Sequence, residues 1–588
     1  MIRPVLTCAC ALAFATGSVV DAADAPSSFA YRYADTYDEL CGVQDEDDGC
    51  AEISAYDPRT GRVFTTNGTD NALRVLHIDA HGTIRDVARV PLDAYGAAPN
   101  SVAAFEGEVA VAMEAADKQA PGRVVLFDAH SLDVSATLSA GPLPDMLTYT
   151  PDGRHLLVAN EGEPNDDYDV DPEGSITIID THDLTVRTAD FSAFNVLGDP
   201  SVRIFGPGAT VAQDLEPEYV AVSADSTTAW ISLQENNAFA VLDIATAQIS
   251  SVVGLGFKDH AVPGNGFDAS DRDGGSDCRR VLEDPQQCIR IAPQPTLGMY
   301  QPDAIATFHA AGDTYIVSAN EGDARDYDGF SEEARVGDDA FTLDASAGDG
   351  RALKDDAALG RLKTTLVTGD ADGDGDIDRI YSYGARSFSI WDAYGKLVFD
   401  SGDDFEQRLA ALQADGLDVW TDDRSDDKGP EPESVTIGSL GGMSVAFIGL
   451  ERVSGVFAYD VSRPSSPAYL GYIDTKRAGD VSPEGLVYVP DTENRGVLIV
   501  TNEVSNTTST YRISVSDRNG DARVDAQPTV AEGTIRWQSD DYYQVQSTGD
   551  YRVICEGARL RECSVMPGEY NVINLTTGQR FESVRVAG

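Results

Sequence analysis

Five aspartates in nine residues, Asp370-Ala371-Asp372-Gly373-Asp374-Gly375-Asp376-Ile377-Asp378, have the types and spacing to wrap a hard cation. Oxygens at loop positions 1, 3, 5 and 9, with glycine at 6, suit an ion of calcium size. Position 12 is Tyr381, so the bidentate glutamate of a helix–loop–helix site is missing. Both flanks, Leu362–Val367 and Arg379–Tyr383, read as strands, which predicts a calcium hairpin. The plain alternative, a solvated acidic turn, would crowd five like charges together. A second loop repeats the spacing with Asp517, Asn519, Asp521 and Asp525, although Ala522 replaces the glycine. Both loops are expected to stiffen structure rather than to catalyse.

A second chemistry is collective. Six segments open with proline and a polar or acidic residue, which gives the set Asn100, Asp145, Glu218, Asp303, Glu433 and Glu484. Each is followed by a second strand ending in a glutamate, at Glu114, Glu161, Glu235, Glu321, Glu451 or Glu503. Brought to one end of a channel, close to a dozen acids could not all ionise without cations. A cluster of divalent or transition-metal ions would satisfy them. The expected ligands are Glu161, Glu321, Glu451 and Glu503, with Asp145, Glu218, Asp303, Glu433 and Glu484. Pro-Asp and Pro-Glu also suit turns, but a turn has no need of glutamate after six separate strands.

Basic residues are few and lie beside these acids: Arg325, Arg424, Lys428 and Arg452, with Lys258, His260 and Arg386 in charged or pre-strand segments. An acidic metal cluster rimmed by such cations suits hydrolysis of a phosphate ester, the metals polarising the phosphoryl group and the guanidinium groups holding its anionic oxygens. Pairing with neighbouring carboxylates is the simpler account of any single one of them. The chain has no Gly-x-Ser-x-Gly elbow, His-Glu-x-x-His or Walker loop, and its seven histidines are scattered.

The elements that must position these groups form a repeat of unequal length. Each copy has a proline-led strand, a strand ending in glutamate and a third strand, and often a fourth. Four short strands per unit of about 45 residues is the pattern of a propeller blade. With a degenerate copy at residues 53–67, the repeat predicts an all-β, seven-bladed β-propeller over residues 28–514. The strand from Phe29 to Tyr33 would complete the last blade and remove both open edges. Two long insertions separate Glu235 from Glu321 and Glu321 from Glu451. The best helical stretch is Asp404 to Ala414. Residues 515–588 read as the second acidic loop followed by a small β module.

The chain has 588 residues and a formal net charge of −55, which argues against nucleic acid and anionic membranes as partners. Its 42% hydrophobic content is enough to build cores. Arg3, the apolar run to Val20 and the small residues around Ala22 read as a secretory signal over residues 1–22, and no later stretch is apolar enough for a membrane span. The six remaining cysteines fall in close pairs, Cys41/Cys50, Cys278/Cys288 and Cys555/Cys563, and local disulfides are the simplest of fifteen pairings.

Several segments are long enough to carry a resemblance: Asn160-Glu161-Gly162-Glu163-Pro164-Asn165-Asp166-Asp167-Tyr168, Gln213-Asp214-Leu215-Glu216-Pro217-Glu218-Tyr219, Gly256-Phe257-Lys258-Asp259-His260, Asn320-Glu321-Gly322-Asp323-Ala324-Arg325-Asp326-Tyr327 and Gly429-Pro430-Glu431-Pro432-Glu433. On these motifs the chain, over roughly residues 50 to 513, resembles the secreted bacterial choice-of-anchor I family. The resemblance implies a β-propeller, a periplasmic or extracellular location and a C-terminal sorting or accessory segment. It also implies an alkaline phosphatase-like label without a defined catalytic set. The C-terminal β module departs from an anchor tail. The functional expectation is a secreted, monomeric, calcium-binding propeller that hydrolyses a small phosphate ester at its acidic channel. The alternative is a non-catalytic extracellular ligand- or protein-binding propeller with structural calcium.

Overall fold

A computed structural model describes residues 29–39, 41, 49–196, 201–273 and 288–515, and in the C-terminal part 529–531, 534–537, 542–547, 553–558, 562–574 and 580–586. The signal segment 1–22, Cys278 and the loop carrying Asp517, Asn519, Asp521 and Asp525 lie outside the described residues.

Proline opens four of the first strands in the blades, Pro99–Phe105, Pro144–Tyr149, Pro432–Leu440 and Pro483–Thr492, where its missing N–H costs the ladder nothing. Together with Ser54–Asp57, Val220–Val222 and Ile305–Ala310 they are the inner strands of seven four-stranded antiparallel sheets. Each inner strand contacts the next, and Pro483–Thr492 contacts Ser54–Asp57, so the ring is closed. The closing sheet takes its outermost strand from the N-terminal side. Phe29–Asp38 pairs antiparallel with Thr507–Val515, from Phe29↔Val515 to Asp38↔Thr507 with one register shift between Tyr33 and Asp35.

Alternation within the strands sends apolar side chains into the seams between blades. Leu157, Ile176 and Ile231 join the third and fourth sheets; Val63, Leu76, Val497 and Ile499 join the last to the first. The cores therefore run around the ring and leave its axis to the inner strands.

Both insertions fold into one cap. Its five-stranded sheet runs Phe257–Asp259, Thr296–Met299, Ile380–Ser382, Lys363–Thr365 and Glu333–Arg335. Thr296–Met299 and Ile380–Ser382 pair in parallel, although they come from different insertions. The hairpin around Asp370–Asp378 is flanked by strands that pair at Thr364↔Ser382. The helix Asp404–Ala414 buries Phe405, Glu406 and Leu409 against the sheet that precedes it. The C-terminal part has a three-stranded and a four-stranded sheet with a core of its own, including Ile535, Val545, Tyr570 and Val572. Disulfides link Cys41 to Cys50 and Cys555 to Cys563. Cys288 is disulfide-bonded as well. Among the described residues, no helix is long and apolar enough to cross a membrane.

Candidate functional site: an acid-lined central channel

The turn into each inner strand aims the post-proline residue. Register shifts fall between Pro99 and Ser101, Pro144 and Leu147, Pro432 and Val435, and Pro483 and Gly485. Asn100, Asp145, Glu433 and Glu484 thus sit on bulges, which re-aim a side chain out of the ladder. The residue before the proline has a left-handed backbone at Leu143, Gln301, Glu431 and Ser482. The strand-end glutamates are tied to the same corner: the N–H of Glu161 donates to the Leu143 carbonyl at 2.9 Å, that of Glu451 to Glu431 at 2.9 Å and that of Glu503 to Ser482 at 2.8 Å. Each such corner therefore holds both acid positions together.

The corners meet on one cavity of about 710 Å³ in the channel. All six post-proline residues line it, as do Glu161, Glu235, Glu321 and Glu503. Glu451 sits just behind, with a ligand oxygen within 4.8 Å of Glu321 and Glu431. Glu114 does not line the cavity; its nearest cation is Lys118 at 3.8 Å. Tyr56, Phe105 and Tyr149 line the same cavity and add aromatic surface to it.

Burial and mutual repulsion hold these acids protonated far above their usual range. Asp145 is pushed up to about 7, first by burial and then by Glu163 and Glu235. Glu484 is raised to about 7 and Glu451 to about 8, burial again leading. Glu161, Glu218, Asp303 and Glu433 are raised well above their usual range by the same causes. Two groups of three bring carboxylate oxygens within 4.8 Å of one another: Glu161, Glu218 and Glu235, and Asp303, Glu321 and Glu433. Oε2 of Glu218, of Glu235 and of Glu433 is buried without a hydrogen-bond partner. Crowded carboxylates with spare oxygens fit a hard cation.

The cations expected to hold phosphate already have partners in the fold, and none of them lines the cavity. Arg325 is wholly buried, bonded to Asp214 at 2.7 Å and Glu216 at 2.8 Å, and stacked on Phe205. Lys258 donates to the carbonyls of Ala385 and Gly402 and pairs with Asp400 at 3.0 Å. Arg386 is buried against Glu406 at 3.1 Å and four backbone or ring partners, including the face of Phe267. His260 is buried against the same ring, with Nδ1 2.6 Å from the Asn265 carbonyl, not exposed in a loop. Arg424 and Arg452 both pair with Glu431, at 2.6 and 3.1 Å. Lys428 reaches the cavity acids, 2.5 Å from Glu321, and Arg452 reaches Glu451 behind them at 3.0 Å. These cations hold the cap and its loops to the ring because a buried carboxylate without a partner is the costlier arrangement.

Four further acids belong to the site. Glu163 and Asp323 line the cavity two residues after Glu161 and Glu321, across glycines with φ of 75° and 93°. A Cβ on Gly322 would lie 2.1 Å from the Gly384 nitrogen, so only glycine allows that turn. Glu216 and Glu431 precede Glu218 and Glu433 in a repeated Glu-Pro-Glu. In both copies the first glutamate takes arginine and the second lines the channel. That repeated tripeptide, and the acid after Asn-Glu-Gly, were the signals in the sequence.

In the acidic hairpin, Asp370, Asp372 and Asp374 also place ligand oxygens within 4.8 Å of one another, but all three are exposed.

The choice-of-anchor I domain model matches residues 52–464. A mesenchyme-specific cell surface glycoprotein of Strongylocentrotus purpuratus is 27% identical over 315 residues, 46% of this chain and 38% of that protein. Gigasin-3a of Magallana gigas is 32% identical over 119 residues, 18% of this chain and 42% of that protein. The chain thus spans less than half the length of either relative. Among solved structures, the WD40 domain of Toxoplasma gondii coronin gives a TM-score of 0.45 at 9% identity, over 84% of this chain and 89% of that one. Hydrazine synthase of Kuenenia stuttgartiensis gives 0.41 at 12% identity, over 82% and 100%. The seven-sheet ring is read from strand pairing alone.

Proposed function

The chain belongs to the choice-of-anchor I family, and from that premise we propose that it is a secreted, calcium-binding propeller that hydrolyses small phosphate esters with divalent cations held in its channel. Family membership and the disulfides make it an extracellular type of protein. The observation that carries the reading is the convergence of both acid sets on one cavity of about 710 Å³. Bound cations would supply Lewis acidity and positive charge for the phosphoryl group. The chain's own part is to fix their positions from seven rigid strands and to offer aromatic wall to the ester's organic group. Calcium in the Asp370–Asp378 hairpin would brace the cap.

One observation favours a second reading, a binding module without catalysis. None of the seven cations expected to grip phosphate lines the cavity, and only Lys428 pairs with carboxylates that do, so anion binding falls mainly to the metals. Elemental analysis paired with turnover of p-nitrophenyl phosphate and its bis-ester, before and after chelation, separates the two. Hydrolysis predicts chelator-sensitive turnover that falls at least about 100-fold in Glu218→Gln, the range for loss of a group that acts at the transition state. Unchanged turnover in that variant, or none in the metal-loaded protein, leaves the binding module.

A further inference from the structure

The two acid groups in the channel differ in what already balances them. Asp303, Glu321 and Glu433 have Lys428 among them: its Nζ is 2.5 Å from Glu321 Oε1 and 3.8 Å from Asp323. The other oxygen of Glu321 accepts from Gln234 Nε2 at 3.1 Å, so both oxygens of that carboxylate are in use. Across the channel, no Lys, Arg or His among the described residues pairs with Glu161, Glu218 or Glu235. Arg325 is the nearest cation in effect, yet its donors go to Asp214 and Glu216. Glu218 and Glu235 are 8% and 5% exposed, and each keeps one buried oxygen that no N–H or hydroxyl reaches, the two carboxyl groups leaning on one another.

The spacing suits an ion. Oxygens around a calcium-sized cation at about 2.4 Å lie no more than about 4.8 Å apart. The oxygens of Glu161, Glu218 and Glu235 meet that limit pairwise. An all-carboxylate set selects hard ions over soft ones.

We propose that Glu161, Glu218 and Glu235 form a site for one hard divalent cation of the calcium or manganese class, and that Lys428 stands in for a second ion among Asp303, Glu321 and Glu433. The inference rests on the reading of the channel as cation-binding and not on its hydrolytic part. It makes the two sides unequal. The unpaired side holds its ion tightly, and the Lys428 side stays closed to one. A phosphate ester would then meet a fixed metal ion on one wall and a fixed ammonium on the other.

The test uses the full chain, stripped by chelation, dialysed and titrated with Mn²⁺ and separately with Ca²⁺, with bound ions counted. Glu235→Gln is expected to lose one tight ion, with affinity at that site down at least about 30-fold, while Lys428→Met gains one. Thermal melting separates ligation from a merely structural role. Stripped Glu235→Gln should melt at or above the stripped parent, because a repelling acid is gone, and calcium should raise the melting temperature of the parent more than that of the variant. Equal ion counts in parent and Glu235→Gln overturn the site. So does a stripped variant that melts lower. No gain in Lys428→Met overturns the role of the lysine. A parent that takes up no channel ion overturns both this inference and the proposed function, whereas the expected counts without ester turnover remove only the hydrolytic reading.

Discussion

The channel and the Asp370–Asp378 hairpin are both rich in acid, yet they bear their charge differently. In the hairpin the aspartates face water, and Asp370 accepts from the N–H groups of Gly373, Asp374 and Gly375 at 2.6, 3.2 and 3.0 Å. Mutual repulsion still raises Asp372, chiefly through Asp374, but solvent screens it. In the channel, carboxylates are enclosed and lean on one another. Two unit charges at 4 Å interact by about 1 kcal/mol in water and about 4 kcal/mol at the effective dielectric of a protein site. Burial, not acid density, decides where a cation is needed. Basic residues follow the same rule. The cap's buried arginines answer buried carboxylates, and none is spent on the hairpin aspartates.

The sharpest way to break this comparison is to remove the most enclosed cation. Arg325→Met leaves Asp214 and Glu216 buried without their partner and is expected to cost about 3–5 kcal/mol in denaturant unfolding. A cost under about 1 kcal/mol would mean that water reaches the pair, and that burial is not what separates the two regions.

Much of this was legible because it is local. Proline followed by a polar or acidic residue marks six of the seven inner strands, the alternation marks the seams, and the strand read at Phe29 to Tyr33 stood alone in need of a partner. The helix Asp404–Ala414 also matched its sequence pattern. The cap sheet was legible only where Leu362–Val367 and Arg379–Tyr383 flank the acidic hairpin. Its strands have three or four residues, and its parallel pair joins Leu297 to Tyr381 across a stretch with no local signature. For the site, the repeat register carried the two acid sets, since equivalent places in a ring meet at its axis. Glu163, Asp323, Glu216 and Glu431 escaped because each lies two residues off that register. The roles of the cations were invisible for a different reason: Arg325 finds Asp214 at a separation of 111 residues, and spacing along the chain says nothing about such partners.

A smaller effect follows from pH. Asp145 and Glu484 titrate near 7 and Glu451 near 8 in the folded chain, above their usual values near 4. The folded state therefore holds more protons than the unfolded state between these limits. The stability these groups contribute is full below about pH 4 and is lost as pH rises through 7 to 8. Chelated protein is expected to melt progressively lower from pH 5 to 8, and calcium should flatten the profile. Asp376 in the hairpin is also raised, to about 6, but it is only half-buried, in a loop at the surface. High salt should thus erase the hairpin's share of the slope and leave the channel's share. A slope wholly abolished by salt would place the effect on the surface.

The smallest effect expected is at the hairpin itself. Asp370, Asp372 and Asp374 bring oxygens within 4.8 Å of one another, and Asp376 is not in that group. Asp372→Asn would therefore remove a direct ligand of a calcium ion bound there, whereas Asp376→Asn would remove only a neighbouring charge. Calcium affinity measured by calorimetry should fall tens-fold in the first and only a few-fold in the second, following the split between contact and field. Each should move the global melting temperature of the chelated protein less than the loss of a channel glutamate does, and not at all in high salt, because the aspartates are solvated and their loop tips carry no core. Hydrogen exchange in the flanking strands Lys363–Thr365 and Ile380–Ser382 is the readout that should respond to calcium. If either substitution lowered the global melting temperature as much as the loss of a channel glutamate does, the hairpin would be bearing load for the ring. The distinction drawn from burial would then have to give way to one drawn from connectivity.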